Sequence, residues 1–170
     1  MASSKSQDAI ALLKEDHRKV EKLFKEFEEA KGEGRKEKLA RQICLELSVH
    51  AAIEEEIFYP ACQGTVEEDL LKESYVEHDA AKLLIAEIEA NEGGGDEFFD
   101  SKVKVLSEEI EPHVEEEEKP GGVFSQARKG KMDLDTLGER LAARKKELVA
   151  SYKASGVPEP ELTTMDEVSV

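Results

Sequence analysis

The sequence predicts an all-α fold, an antiparallel up-down-up-down four-helix bundle with an additional C-terminal helix. Three observations carry this expectation. Apolar residues recur at three- and four-residue steps through most of the chain. No segment shows the two-residue alternation of a half-buried strand. Short Gly- and Pro-bearing breaks separate the periodic stretches, as antiparallel neighbours require.

The elements follow in order. Residues 7–31 place Ile10, Leu13, Val20, Phe24 and Phe27 on one stripe, and the GEG at 32–34 stops it. Residues 35–59 carry Leu39, Ile43, Leu47, Ile57 and Phe58, with Pro60 expected to end the helix. After ACQGT, residues 66–91 repeat the pattern with Leu71, Ala81, Leu84, Ile85 and Ile88, and NEGGGD breaks it. Residues 97–118 contribute Phe99, Val103, Leu106 and Ile110 before KPGG. A fifth helix is expected over 134–153, where Leu134, Leu137, Leu141 and Leu148 recur at helical steps; it is expected to pack on its own bundle or, alternatively, to form a dimer contact. The last stretch, ASGVPEPELTTMDEVSV, is polar, holds prolines and is expected to be an extended or loose tail. The organisation expected is therefore a bundle over 1–128 and a C-terminal helix with tail over 129–170. One hundred and seventy residues are enough for one real core.

Charge narrows the function. A net charge of −16 opposes nucleic acid and anionic membrane surfaces, both of which need a basic face. No run of about 18 apolar residues occurs, and the first residues carry no apolar signal segment, so a cytoplasmic protein is expected. Cys44 and Cys62 lack CxxC spacing and are read as small apolar fillers in a reducing compartment.

The chain has four histidines, and each falls on an inward stripe of a different helix. His17 lies on the stripe 10, 13, 17, 20, 24, 27, and His50 with Glu54 on 39, 43, 47, 50, 54, 57. His78 lies on 71, 74, 78, 81, 85, 88, and His113 with Glu117 on 99, 103, 106, 110, 113, 117. A carboxylate buried in a bundle costs several kcal/mol unless a cation meets it, and no Lys or Arg shares the stripe at this level. A metal ion is such a cation. Residues four apart on a helix share a face, so the two HxxxE pairs, His50/Glu54 and His113/Glu117, offer convergent donors. Four imidazoles and two carboxylates without a thiolate suit non-haem iron best, manganese or zinc less well, and are too rich in nitrogen for calcium or magnesium. The neighbouring Glu55, Glu56, Glu115, Glu116 and Glu118 fall off the stripe and are expected to form a solvated face.

Four segments, DAIALLKEDHRKV, HAAIEEEIFYP, EHDAAKLLIAEIE and PHVEEEE, carry a resemblance to the hemerythrin-like, or HHE cation-binding, proteins over residues 8 to about 128. The resemblance implies a bundle around a non-haem di-iron centre, with Glu54 and Glu117 as bridging carboxylates and His17, His50, His78 and His113 as terminal ligands. It also implies that O2, peroxide or nitric oxide meets the metal. The chain departs from the five-histidine set of the oxygen carriers, because Ser74 and Lys82 flank His78 where those proteins have a second histidine a turn away. Tyr75, Glu77 or a solvent oxygen is expected to fill that place. Fewer protein donors leave open coordination positions, where substrates bind. Three readings are carried forward: a module that senses, carries or buffers O2, nitric oxide or iron; a peroxide-decomposing or oxidase-type enzyme of the oxidative or nitrosative stress response; and, disfavoured because it leaves two interior carboxylates unpaired, a metal-free bundle used only for protein interaction. Whether it is an enzyme, and its oligomeric state, are not decided by the sequence.

Overall fold

The computed structural model describes residues 7–91 and 95–165; the middle of the NEGGGD breaker and the end of the tail lie outside the described residues. Asp8 starts α1 (Ala9–Glu29) by accepting the Ala11 amide at 2.8 Å, which satisfies one of the donors a helix start leaves free. Helix α2 (Glu33–Ile53) continues through a five-residue π turn, Glu54–Phe58, into the short α3 (Tyr59–Cys62). Helices α4 (Glu68–Glu89) and α5 (Phe99–Glu118) complete a ring in which α1 neighbours α2 and α5, and α4 neighbours α2 and α5. There is no strand among the described residues. The all-α bundle read from the sequence is the fold observed.

Pro60 does not end the second helix, as the sequence had suggested. It sits in the first turn of α3, where its missing N–H is tolerated, and the chain breaks instead after Cys62, with Gly64 at φ +82°. Pro112 likewise lies inside α5 on its exposed side. The carbonyl it leaves without a donor, that of Glu108, belongs to an exposed residue within reach of water. A seven-residue helix not foreseen in the sequence, α6 (Val123–Lys129), turns Phe124 into the core.

Apolar side chains form two clusters, one on each side of the histidine level. One gathers Ile10, Leu13, Ile53, Phe58, Leu71 and Phe124; the other gathers Val20, Phe27, Ile43, Leu47, Ile85 and Leu106. A fully buried Leu, Ile or Phe is worth about 1.5–3 kcal/mol, so these clusters hold the polar layer between them in place.

Helix α7 (Leu134–Ser155) packs across α1 and α2, and Leu137, Leu141 and Leu148 enter the first cluster. Gly138 permits this approach, because a Cβ there would collide with the Gln7 carbonyl oxygen. Gly156, at φ +83°, then turns the chain out of the helix. The tail beyond it is extended but not loose. Asp79, fully buried on α4, accepts the amides of Thr163 (3.0 Å), Thr164 (2.6 Å) and Met165 (3.1 Å) and the Thr164 hydroxyl at 2.7 Å. Lys82 donates to the Glu161 carbonyl at 2.9 Å, and the Thr163 hydroxyl to Glu55 at 2.7 Å. Composition had suggested a loose tail, but a buried carboxylate that needs donors outweighs it.

The Asp79 cluster should therefore govern the tail. In Asp79→Ala the amides of Thr163, Thr164 and Met165 should exchange with deuterium at least tenfold faster while helix content is unchanged. Unaltered exchange at those three amides would show that Asp79 does not hold the segment.

Candidate metal centre

The four inward stripes bring His17, His50, His78 and His113 to one level, and all four are 3–6% exposed. Glu54 and Glu117 reach the same level at 0% and 1% exposure. Their donor atoms form two overlapping sets, His17/His50/Glu54/Glu117 and Glu54/His78/His113/Glu117, within each of which all the atoms lie within 4.8 Å of one another. All six residues singled out in the sequence are thus together, and the two glutamates belong to both sets. Each histidine turns Nε2 inward. His50 Nε2 is 3.0 Å from Glu54 Oε1, and His78 Nε2 is 3.3 Å from the same oxygen. His113 Nε2 is 3.2 Å from Glu117 Oε1, and His17 Nε2 is 3.4 Å from Glu117 Oε2. The Nε2 atoms of His17 and His50 face each other at 3.2 Å.

The outer nitrogens are held by carboxylates. His17 Nδ1 pairs with Glu118 at 2.8 Å, His50 Nδ1 with Asp16 at 3.0 Å and His78 Nδ1 with Glu55 at 3.2 Å. His113 Nδ1 faces Glu77 at 3.5 Å, longer than a hydrogen bond. An outer carboxylate fixes the ring and the tautomer, leaving the inner lone pair free for a metal. Glu55 and Glu118 are therefore not the solvated residues expected from their position beside the stripe, whereas Glu56, Glu115 and Glu116 are exposed. Asp16, Glu55 and Glu118 are balanced in turn by Lys145 of α7, Lys82 and Arg18.

Tyr59 is the residue of the site that sequence reasoning missed. The π turn inserts one residue, so Tyr59 closes an i→i+5 bond from its amide to the Glu54 carbonyl and points inward beside Glu54. Its hydroxyl donates to Glu117 Oε1 at 2.5 Å and lies 3.3 Å from His78 Nε2. Tyr75 and Glu77, the side chains expected at this place, stand outside it. Tyr75 packs its ring edge-on against Tyr59, and Glu77 is 36% exposed behind His113. Ser74 turns its hydroxyl back to the Leu70 carbonyl, and Lys82 points at Glu55.

Electrostatics and hydrogen bonding converge on donors disposed to meet a cation. Both oxygens of Glu54, Glu117 Oε2 and both ring nitrogens of His113 are buried without a hydrogen-bond partner; the short N–O approaches lack hydrogen-bond direction. Leaving such groups unmet is costly. Burial and Glu117 push the Glu54 carboxyl up, but His50 and His78 outweigh them and hold it below the usual range. Burial pushes the Tyr59 phenol well above its ordinary value, and Glu117 and Glu54 add to this. Burial would lower His50, yet Glu54 and Asp16 raise it to about 10. Nitrogen and oxygen donors in these two overlapping sets fit metal binding.

Without metal, imidazolium–carboxylate pairs must take the place of that cation. A histidine raised from about 6.5 to about 10 gives stability that is complete below about 6.5 and is lost as pH climbs to 10. We therefore expect the melting temperature of chelator-treated protein to fall steadily between pH 7 and 10. Metal-loaded protein should fall less, since a ligated nitrogen carries no proton to lose. Parallel slopes for the two forms would contradict the pairing.

Comparison with known proteins agrees with this geometry. Residues 8–120 match the hemerythrin HHE cation binding domain. A protein of Nostoc sp. named DNA nickase is 33% identical over 112 residues, which is 66% of this chain and 31% of that protein, so the chain spans about a third of the relative's length. The crystal structure of a hemerythrin HHE cation binding domain-containing protein from Mycobacterium kansasii superposes with a TM-score of 0.72 at 22% identity, covering 88% of this chain and 94% of that one, which speaks for the fold. No helix among the described residues is long and apolar enough to cross a membrane. With the family model covering most of its length and buried His/Glu groups disposed for metal, the chain belongs to the hemerythrin HHE cation-binding family.

Proposed function

We propose that the protein is a non-haem di-iron protein that receives O2, peroxide or nitric oxide at its metal centre and acts in oxidative or nitrosative stress. The observation that carries this reading is the pair of fully buried glutamates, each shared by two histidine pairs and with three of their four oxygens unpartnered. His17 and His50 would hold one ion, His78 and His113 the other, and Glu54 and Glu117 would lie between. When bound, the metal pair supplies electron exchange with a small oxygen or nitrogen ligand. The buried, free Cys44 and Cys62 fit the reducing cytoplasm. The nickase named for the Nostoc relative does not enter this reading, since a net charge of −16 repels the DNA backbone.

The chain's own groups make the two halves unequal. Tyr59 adds a phenol on the His78 side, and its hydroxyl proton is held toward Glu117 Oε1 within a layer closed off by two apolar clusters. Four protein donors per ion leave room for an external ligand. A proton carried on Tyr59 Oη favours breaking down a peroxide over simple carriage, because a leaving oxygen needs a proton. Reversible O2 carriage or iron buffering is the alternative.

Iron analysis together with an absorption spectrum, recorded with and without peroxide, tests the proposal. Two irons per chain are expected in the wild type, and Glu54→Ala or Glu117→Ala should lose most of them while remaining helical. Glu56→Ala and Glu116→Ala should retain both. Glu55→Ala and Glu118→Ala, which only steady a histidine, should weaken iron binding roughly 10–100-fold. Tyr59→Phe should keep its iron and slow peroxide consumption by roughly 10²-fold or more. Full occupancy at one iron would overturn the di-iron reading, and an unchanged rate in Tyr59→Phe would return the choice to carriage.

A further inference from the structure

A cavity of about 450 Å3 lies beside the histidine layer. Its walls are of two kinds. Val20, Leu47, Ala81, Ile85 and Ile110 supply an aliphatic surface, and the rings of all four site histidines supply a polar one. The extended segment from Val157 to Thr163, fastened to Asp79, Lys82 and Glu55, forms the remaining wall. O2, nitric oxide and hydrogen peroxide need little more than the ~30 Å3 share of one water, whereas sites for organic ligands begin near ~300 Å3. The space is an order of magnitude too large for the small ligands alone.

Its lining also selects by charge. Asp16, Glu55, Glu56, Glu159 and Glu161 face one ammonium, that of Lys82, so an anion is disfavoured. On the proposed function, metal ions behind the histidines disfavour an organic cation as well. His113, 3% exposed and without a hydrogen-bond partner at either ring nitrogen, is part of the wall and marks its polar end. We infer that this cavity binds an uncharged organic molecule with an apolar body and one oxygen-bearing end, an alcohol or hydroperoxide, its oxygen against the histidines. The C-terminal segment completes the site, so residues beyond the family domain take part in selecting the ligand. The inference deepens the proposed function and rests on it in excluding an organic cation and in making the histidine end the reactive one.

The neutral alcohol 2-phenyl-2-propanol serves as the probe, titrated into the full chain with and without iron and followed by saturation-transfer NMR. Saturable binding at one site per chain is expected in both states. Benzoate, of similar size but anionic, should bind roughly tenfold more weakly or worse. Ala81→Leu and Ile110→Phe, which fill the cavity from α4 and α5, should each weaken the alcohol roughly tenfold, while azide titration of the iron shifts less than twofold. Circular dichroism shows which variants fold, and either one suffices. Absence of saturable binding to the wild type, or equal binding by a folded cavity-filling variant, would overturn the inference. The two readings fail separately: iron that titrates with azide in a protein blind to the alcohol leaves the metal centre standing, and alcohol binding in a protein that takes up no iron leaves the cavity standing.

Discussion

Two carboxylates placed where water cannot reach them organise this protein. Glu54 and Glu117 are 0% and 1% exposed, and among the described residues the only side chains paired with them as cations are histidines, not lysine or arginine. A buried, uncompensated carboxylate costs several kcal/mol, a large fraction of what a domain of this size has to spare. Four imidazoles set around the pair offset part of that cost when protonated. With their lone pairs turned inward they frame a place for metal cations, which can meet every oxygen at once.

The rest of the structure can be read outward from that pair. Behind three imidazoles stands a hydrogen-bonded carboxylate, and behind each of those a cation, so charge alternates in shells from the centre to the surface. Lys145 extends this order into α7: by pairing with Asp16, which holds His50, it ties the C-terminal helix to the centre. Phe124 of α6 stacks against the His17 ring at 5.7 Å, adding a second element from beyond the bundle. Leucines of α7 join the apolar cluster on that side, so packing and electrostatics fasten the same helix.

Much of this was legible in the sequence. The six residues His17, His50, Glu54, His78, His113 and Glu117 could be placed because α-helical periodicity holds up to each of them, and Leu71, Ser74, His78, Ala81, Ile85 and Ile88 are all buried as read. Tyr59 escaped because the period changes there: the π turn adds one residue after Glu54, and steps of three and four no longer track the inward face. Glu55 and Glu118 each follow an inward glutamate by one position, about 100° around the helix. That angle points to solvent on a lone helix but toward a neighbouring helix's histidine in a closed bundle. Asp79 and the tail were hidden for a different reason, since their contact joins positions more than 80 residues apart and leaves no local pattern.

The proposed function has two metal ions share Glu54 and Glu117. Anomalous diffraction at the iron edge from crystals of iron-loaded protein tests it most directly. Two peaks roughly 3.5–4 Å apart are expected, one beside His17 and His50 and the other beside His78 and His113, with both glutamates between them. A single peak at full occupancy, or peaks that leave either glutamate without a metal contact, would contradict the account.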